Sequence, residues 1–195
     1  MANMAGSGAT AENIIASNIK AYIDGDGAKG IDATYGISIT AKDEATIKAD
    51  VAAVAISVGV GIGAAGVGVS LGISLAENTI KNQVEAYIRN ADNKADASGG
   101  DVTIEATSNN TIDASSVAAS VAVGGGLYAG VAVSASGAYA NNVILSNTNA
   151  YIANSSTTAN ALTIKAKDTS SIDAEIQAAS AALGLGFAGV AVSVG

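Results

Sequence analysis

The sequence contains no histidine, no cysteine, no proline and no tryptophan, and it has a single phenylalanine. Without imidazole there is no Ser–His triad, no histidine general base and no histidine metal ligand. Without thiols there is no thiolate nucleophile, no cysteine-held zinc and no disulfide. Zero cysteine does not fix a compartment, but it suits a chain threaded unfolded through an export pore, where a premature disulfide would block transit. The absence of proline leaves every residue after the first with a backbone N–H, as an unbroken hydrogen-bonded ladder requires.

Charge is scarce as well. Nine Lys and Arg stand against 17 Asp and Glu, a net charge of −8, and charged residues make up 13% of the chain, about half the usual share. No basic cluster is present, and an acidic surface is repelled by phosphate, so nucleic acid and anionic membrane are disfavoured partners. The first eight residues, MANMAGSG, lack the basic and apolar regions of a signal peptide. For an exported protein the expectation is a mature fragment whose signal lay upstream.

The chain is 49% hydrophobic but only 4% aromatic, with 23 glycines, so its apolar mass is mostly Ala, Val and Ile. Three segments align: AENIIASNIKAYI from Ala11, AENTIKNQVEAYI from Ala76 and ANNVILSNTNAYI from Ala140. A second block recurs as ISITAKDEATIKA, VTIEATSNNTIDA and LTIKAKDTSSIDA, starting at Ile37, Val102 and Leu162. A third follows as VGVGIGAAGVGVSLG, VAVGGGLYAGVAVSAS and AALGLGFAGVAVSVG. The same blocks in the same order predict an internal repeat. The expected boundaries are a leader or tag-like segment over 1–10 and repeats over 11–75, 76–139 and 140–195. Loops rich in Asp, Asn, Ser, Thr and Gly separate the first two blocks and change length between copies, as surface loops do.

In the third block Val54, Ile56, Val58, Val60 and Ile62 alternate with small residues, and alternation resumes from Val67 to Ile73 after Gly66. Period two on both sides of a short break predicts two strands of a hairpin or a solenoid corner, with Gly66, Gly130 and Gly189 as turn glycines. The predicted fold is all-β: a repetitive β-solenoid or stacked β-hairpins built from three repeats of roughly 60–65 residues. The large residues are expected to fill a core, and the small ones to pack on a neighbouring layer or protomer. In such a stack Tyr22, Tyr87 and Tyr151 form an aromatic column and Asn13, Asn78 and Asn142 an amide ladder. A carbohydrate-stacking platform is the functional alternative for the tyrosines.

Other motifs carry little chemistry. Gly61 to Gly66 and Gly184 to Gly189 both match G-x-G-x-x-G, but an alternating strand follows where a dinucleotide site needs a helix. Asp24, Asp26 and Asp32 offer oxygen ligands for one calcium ion, without EF-hand spacing or a closing glutamate. The equivalent loops, Asp92 to Asp96 and Asn154 to Ser156, do not preserve the set of three carboxylates, so a turn is favoured and no cofactor is expected. Asp43 with Glu44 and Asp173 with Glu175 read as solvated strand or turn residues rather than a glycosidase pair, and no enzymatic activity is expected. The Ala-rich run from Asp173 to Ala182 has helical propensity, but register with the other copies favours strand. The uncharged run between Asp50 and Glu77 is long enough to span a membrane, yet its period is two rather than helical.

The N-x-I…AYI segment, the run Gly100-Asp101-Val102-Thr103-Ile104-Glu105-Ala106 and the Gly/Ala/Val block together resemble the repetitive passenger regions of large bacterial filamentous adhesins, including leukotoxin-like and haemagglutinin-like type V secreted proteins. The resemblance covers about Ala11 to Gly195. It implies a β-solenoid passenger, export by a two-partner or autotransporter route, and an extracellular or cell-surface location. It also implies a role in adhesion or display. The expected partners are other copies of the chain, end to end or side by side, with a host surface or glycan engaged through flanking regions. The alternative is a membrane-active, pore-forming segment that inserts Gly/Ala/Val β-hairpins.

Overall fold

A long run of β-branched and small residues without proline forms strand wherever a neighbour can complete its hydrogen bonds. In the computed structural model, which describes residues 1–27, 30–92 and 94–195, the chain supplies its own neighbours. One long sheet contains β1 (Ala2–Asp24), β5 (Ala65–Arg89), β9 (Ala129–Ala153) and β13 (Ala188–Val194), in that order. A short sheet contains β2 (Ile31–Asp32), β6 (Ala95–Ala97) and β10 (Thr157–Ala159). The third comprises β3 (Gly36–Asp43), β7 (Asp101–Ser108) and β11 (Leu162–Asp168), and the fourth β4 (Thr46–Gly61), β8 (Thr111–Gly126) and β12 (Ser171–Leu185).

Every ladder described is parallel. Ala2 pairs with Val67 and Val67 with Val131, so the chain returns to the same place after 65 and then 64 residues. The architecture is therefore all-β with parallel sheets, of the β-solenoid type. Parallel pairing also replaces the stacked hairpins considered above: β4 and β5 flank the 62–64 corner, but they belong to different sheets and pair with other turns of the chain. Residues 2–10, read from the sequence as leader-like, are strand and lie in register with 67–75. The Ala-rich segment is strand within β12.

In cross-section the 25-residue strands of the long sheet face the third and fourth sheets placed end to end. At one end the short sheet holds the two walls apart, and the gap is filled by Ile39, Val84, Ile88, Val102 and Ile104. A second apolar cluster, Ile47, Ile80 and Ile112, lies further along. Beyond it the walls converge on corners of two or three residues at 62–64, 127–128 and 186–187. The inward positions of β4 follow the taper: Ile47, Ala49, Val51, Ala53, Ala55, Ser57, Gly59, Gly61. Opposite, β5 presents Gly66, Gly68, Ser70, Gly72 and Ser74.

This corrects the expectation for the third block. Its small residues face inward and its large residues face solvent, with Val54, Ile56, Val58 and Val60 all 49–63% exposed. The cause is the approach of two backbones near a tight corner, where the roughly 10 Å spacing of ordinary packed sheets is not reached. A Cβ on Gly59 would land on the Val67 carbonyl, and one on Gly66 on the Gly125 carbonyl. Gly66, Gly130 and Gly189 are thus not turn residues. Each lies within a strand just past its corner, and the close approach of the opposite wall excludes a side chain there.

The thick end gains the hydrophobic term of about 1.5–3 kcal/mol per buried Ile or Val, and the Gly/Ser end does not. Ile104→Ala is expected to cost about 2–5 kcal/mol. Ser57→Val, which overfills the thin end and removes the hydrogen bond from Ser57 Oγ to the Asn3 carbonyl (2.8 Å), is expected to cost about 1–3 kcal/mol. The neighbouring Val58→Ser is expected to change stability by no more than about 0.5 kcal/mol. Urea unfolding of the three variants checks this order.

Candidate functional site

Parallel register places like residues above one another, and the side chains form columns. Tyr22, Tyr87 and Tyr151 stack with ring centroids 5.1 and 4.9 Å apart and planes within 10°. The middle ring is 5% exposed and both its faces are occupied by tyrosine. The Arg89 guanidinium lies 5.4 Å from the Tyr87 ring centroid. The carbohydrate platform considered for this column would have to use the outer faces of Tyr22 or Tyr151.

Inside, Asn13 Nδ2 donates to Asn78 Oδ1, and Asn78 Nδ2 to Asn142 Oδ1, both at 2.8 Å. Serine hydroxyls continue this polar interior toward the thin edge: Ser70 to Ser134 at 3.2 Å, Ser120 to Ser134 at 2.7 Å and Ser74 to Ser116 at 2.9 Å. Each pair satisfies groups for which burial without a partner costs roughly 1–3 kcal/mol.

A third polar column was missed in the sequence. Asn110 is fully buried at the bend between β7 and β8, where its Oδ1 accepts the Ala45 N–H at 2.9 Å and its Nδ2 donates to Ser108 and Ser146. Its own N–H donates to Ser170 Oγ at 3.1 Å. The side chain of one turn thus satisfies the backbone of the turn before it. Asp43 joins this cluster, buried at 7% exposure and accepting from Asn82 Nδ2 at 2.5 Å. That corrects its reading as a solvated residue, because Asp43 shares the inward parity of Ile37, Ile39 and Ala41 in β3. Glu44 points outward and pairs with Lys42 at 2.8 Å.

The corner after the long sheet also has a register. Gly25, Asn90 and Asn154 occupy it with φ of 84°, 56° and 48°. Glycine and asparagine are the residues that best tolerate this left-handed conformation. Near this corner lie the three calcium candidates. Asp24 accepts from the Arg89 guanidinium at 2.5 Å and from Asn90 Nδ2 at 2.7 Å. Asp26 accepts the Lys94 N–H at 2.8 Å, and Asp32 lies 4.0 Å from Lys94 Nζ. Among the described residues no group of three His, Cys, Asp or Glu is arranged to hold a metal. Ala28 and Lys29 of this loop, and Asn93 of its counterpart, lie outside the described residues.

Ion pairs tie successive turns together on the outside: Lys20 to Glu85 at 2.8 Å, Asp24 to Arg89 at 2.5 Å and Lys165 to Glu105 at 2.9 Å. Hydrogen bonds from Arg89 and Asn90 hold the Asp24 carboxyl below its ordinary 3.8. Lys20, then Gln83, hold Glu85 below 4.5, and Lys94 and Ser98 hold Asp96 below 3.8. Shallow depressions of about 530 Å³ include one lined by Asn18, Lys81, Gln83 and Asn147 and another lined by Tyr35, Asp101, Thr103 and Asn160.

Carboxyls with depressed folded-state values contribute stability above their unfolded values and lose it as pH falls through the folded ones. The urea midpoint is therefore expected to hold from about pH 9 to 5 and to fall below about pH 4, less steeply in Asp24→Asn. At the left-handed corner, Asn154→Val is expected to cost about 1–2 kcal/mol and Asn154→Gly close to nothing, measured by the same unfolding. Comparison of the chain with protein-family models, with curated proteins and with solved structures finds no match.

Proposed function

We propose that the chain is a structural segment of a bacterial extracellular adhesin or fibre: a stiff stack of three repeats that spaces or displays a binding region. The observation that carries this reading is the parallel stacking of like residues in register: Ile104 lies between Ile39 and Ile164, and Ile112 between Ile47 and Ile172, and both middle residues are fully buried. A turn built this way is complemented by another turn of the same kind, from the same chain or from another copy.

Rigidity follows from the ladders. Local opening of one turn breaks its backbone bonds on both sides and its Tyr and Asn contacts together. The pore-forming alternative requires hairpins to insert, and the parallel ladders offer none.

Concentrated protein is expected to form elongated particles or filaments. Their width is set by a strand of about 25 residues, roughly 80 Å, and their diffraction contains a 4.8 Å spacing along the long axis. Ile164→Lys with Ile172→Lys is expected to stop growth, because two charges then occupy the apolar columns shared with Ile104 and Ile112. Compact particles whose size is independent of concentration and of these substitutions, with no axial 4.8 Å spacing, would contradict the proposal. Electron microscopy with fibre diffraction makes the distinction.

A further inference from the structure

Parallel register holds three phenols in contact on the outer face of the long sheet. Tyr22, Tyr87 and Tyr151 are register partners, and their ring planes lie within 10° and 8° of parallel. They share outward parity with Lys20 and Asp24 in β1 and with Glu85 and Arg89 in β5, so the column stands outside the packed core. We propose that it is a site of oxidative cross-linking, in which Tyr87 is joined to Tyr22 or Tyr151 by a carbon–carbon bond between Cε atoms.

The oxidant is a peroxide acting in one-electron steps. Each of two neighbouring phenols gives up one electron and its hydroxyl proton, becoming a phenoxyl radical with spin on the ring carbons ortho to the oxygen. The two radicals pair to form the Cε–Cε bond. The hydrogen on each bonded Cε then moves as a proton to the phenol oxygen, which restores both aromatic rings. Hydrogen peroxide takes up the two electrons and two protons, its O–O bond breaks, and two waters leave. The product is two hydrogens lighter than the two tyrosines.

Three observations select this column. The backbone spacing suits the product: neighbouring strands lie about 4.8 Å apart, and rotation about Cβ–Cγ with a small tilt turns the ortho edges of stacked rings toward each other while the strands stay in place. The other tyrosines lack such a neighbour. Tyr35, Tyr128 and Tyr139 are exposed at 89%, 65% and 49%, but Tyr139 pairs with Leu75, and Tyr128 donates its N–H to the Ala64 carbonyl. Finally, no cysteine, histidine or tryptophan competes for the oxidant, and Met4 lies about 60 Å along the strand from Tyr22.

Access does not require the oxidant to touch the middle ring. Tyr87 is 5% exposed, but Tyr22 is 56% exposed in this chain, and an electron passes readily between rings in contact. Each link ties one turn covalently to the next. The inference rests on the register alone and is independent of a role in adhesion.

The test treats the full chain, kept dilute, with hydrogen peroxide and a small haem peptide, then isolates the monomer on a denaturing gel. Dityrosine fluorescence is expected in the monomer, and mass spectrometry of its digest is expected to find Tyr87 joined to Tyr22 or Tyr151. Tyr87→Phe leaves Tyr22 and Tyr151 two strands apart, about 10 Å, and is expected to lower the dityrosine yield of the monomer at least tenfold with an unchanged circular dichroism spectrum. Tyr35→Phe/Tyr128→Phe/Tyr139→Phe is expected to keep the parent's yield. In urea the links are expected to spread over all six tyrosines. The inference is overturned if the folded monomer gains no dityrosine, if fluorescence appears only in covalent dimers, or if the links of the folded chain involve Tyr35, Tyr128 or Tyr139 instead. It is also overturned if Tyr87→Phe keeps the parent's yield, or if the folded and unfolded chains give the same links.

Discussion

Parallel backbone pairing at offsets of 65, 64 and then 59 residues along the long sheet requires every turn of the chain to trace the same path as the one before. The strands of the middle turn pair with neighbours on both sides, which is why a chain without proline, disulfide or described metal cluster can sustain strands of 25 residues. The same constraint generates the columns. A residue chosen once is met by its counterpart 4.8 Å away, so amides bond to amides, tyrosines stack, and a corner needing a left-handed residue needs it in each turn. Variation is confined to the loops. The offset falls from 64 residues between β5 and β9 to 60 between β7 and β11 and between β8 and β12, because the last turn has shorter corners around 154–161, and it is 59 between β9 and β13.

The two walls are not equally spaced along their length, and side-chain volume follows the spacing. Isoleucine and valine fill the thick end, asparagine and serine bond across the middle, and glycine alone fits where backbones meet. Apolar mass excluded from the narrowing interior reappears on the outer faces. Stability and surface chemistry therefore divide along the cross-section: cohesion comes from the thick end and from the ladders, while the thin edge contributes apolar surface exposed to its surroundings.

The repeat, the strands and the alternation were legible because they are local or periodic properties. Which parity faces inward in the third block was read the wrong way round, although the information was present. Lys48 and Asp50 share the parity of Val54 to Val60 in one unbroken strand, and Glu77 and Lys81 share that of Val67 to Ile73. Charges that must remain solvated thus assign the valines to the outside, and following parity through the whole strand would have placed them. The same reading from Ile37 would have placed Asp43 inside. The role of Asn110 was not legible, because its partner N–H on Ala45 is brought to it only by the register between turns. Gly25, Asn90 and Asn154 could have been found once aligned, as one position occupied only by residues that accept positive φ.

The central claim, parallel in-register pairing of successive turns, can be tested in a chain that has no cysteine of its own. Glu12 and Glu77 are paired neighbours on the outer face of β1 and β5, within the Cα separation of about 4.4–6.8 Å that a disulfide bridges. Under mild oxidation Glu12→Cys/Glu77→Cys should cross-link rapidly within one chain, and Glu12→Cys/Lys81→Cys, displaced four residues or about 13 Å along the strand, should not. Equal cross-linking of the two pairs, or preferential linking of the displaced pair, would contradict the register on which the architecture rests.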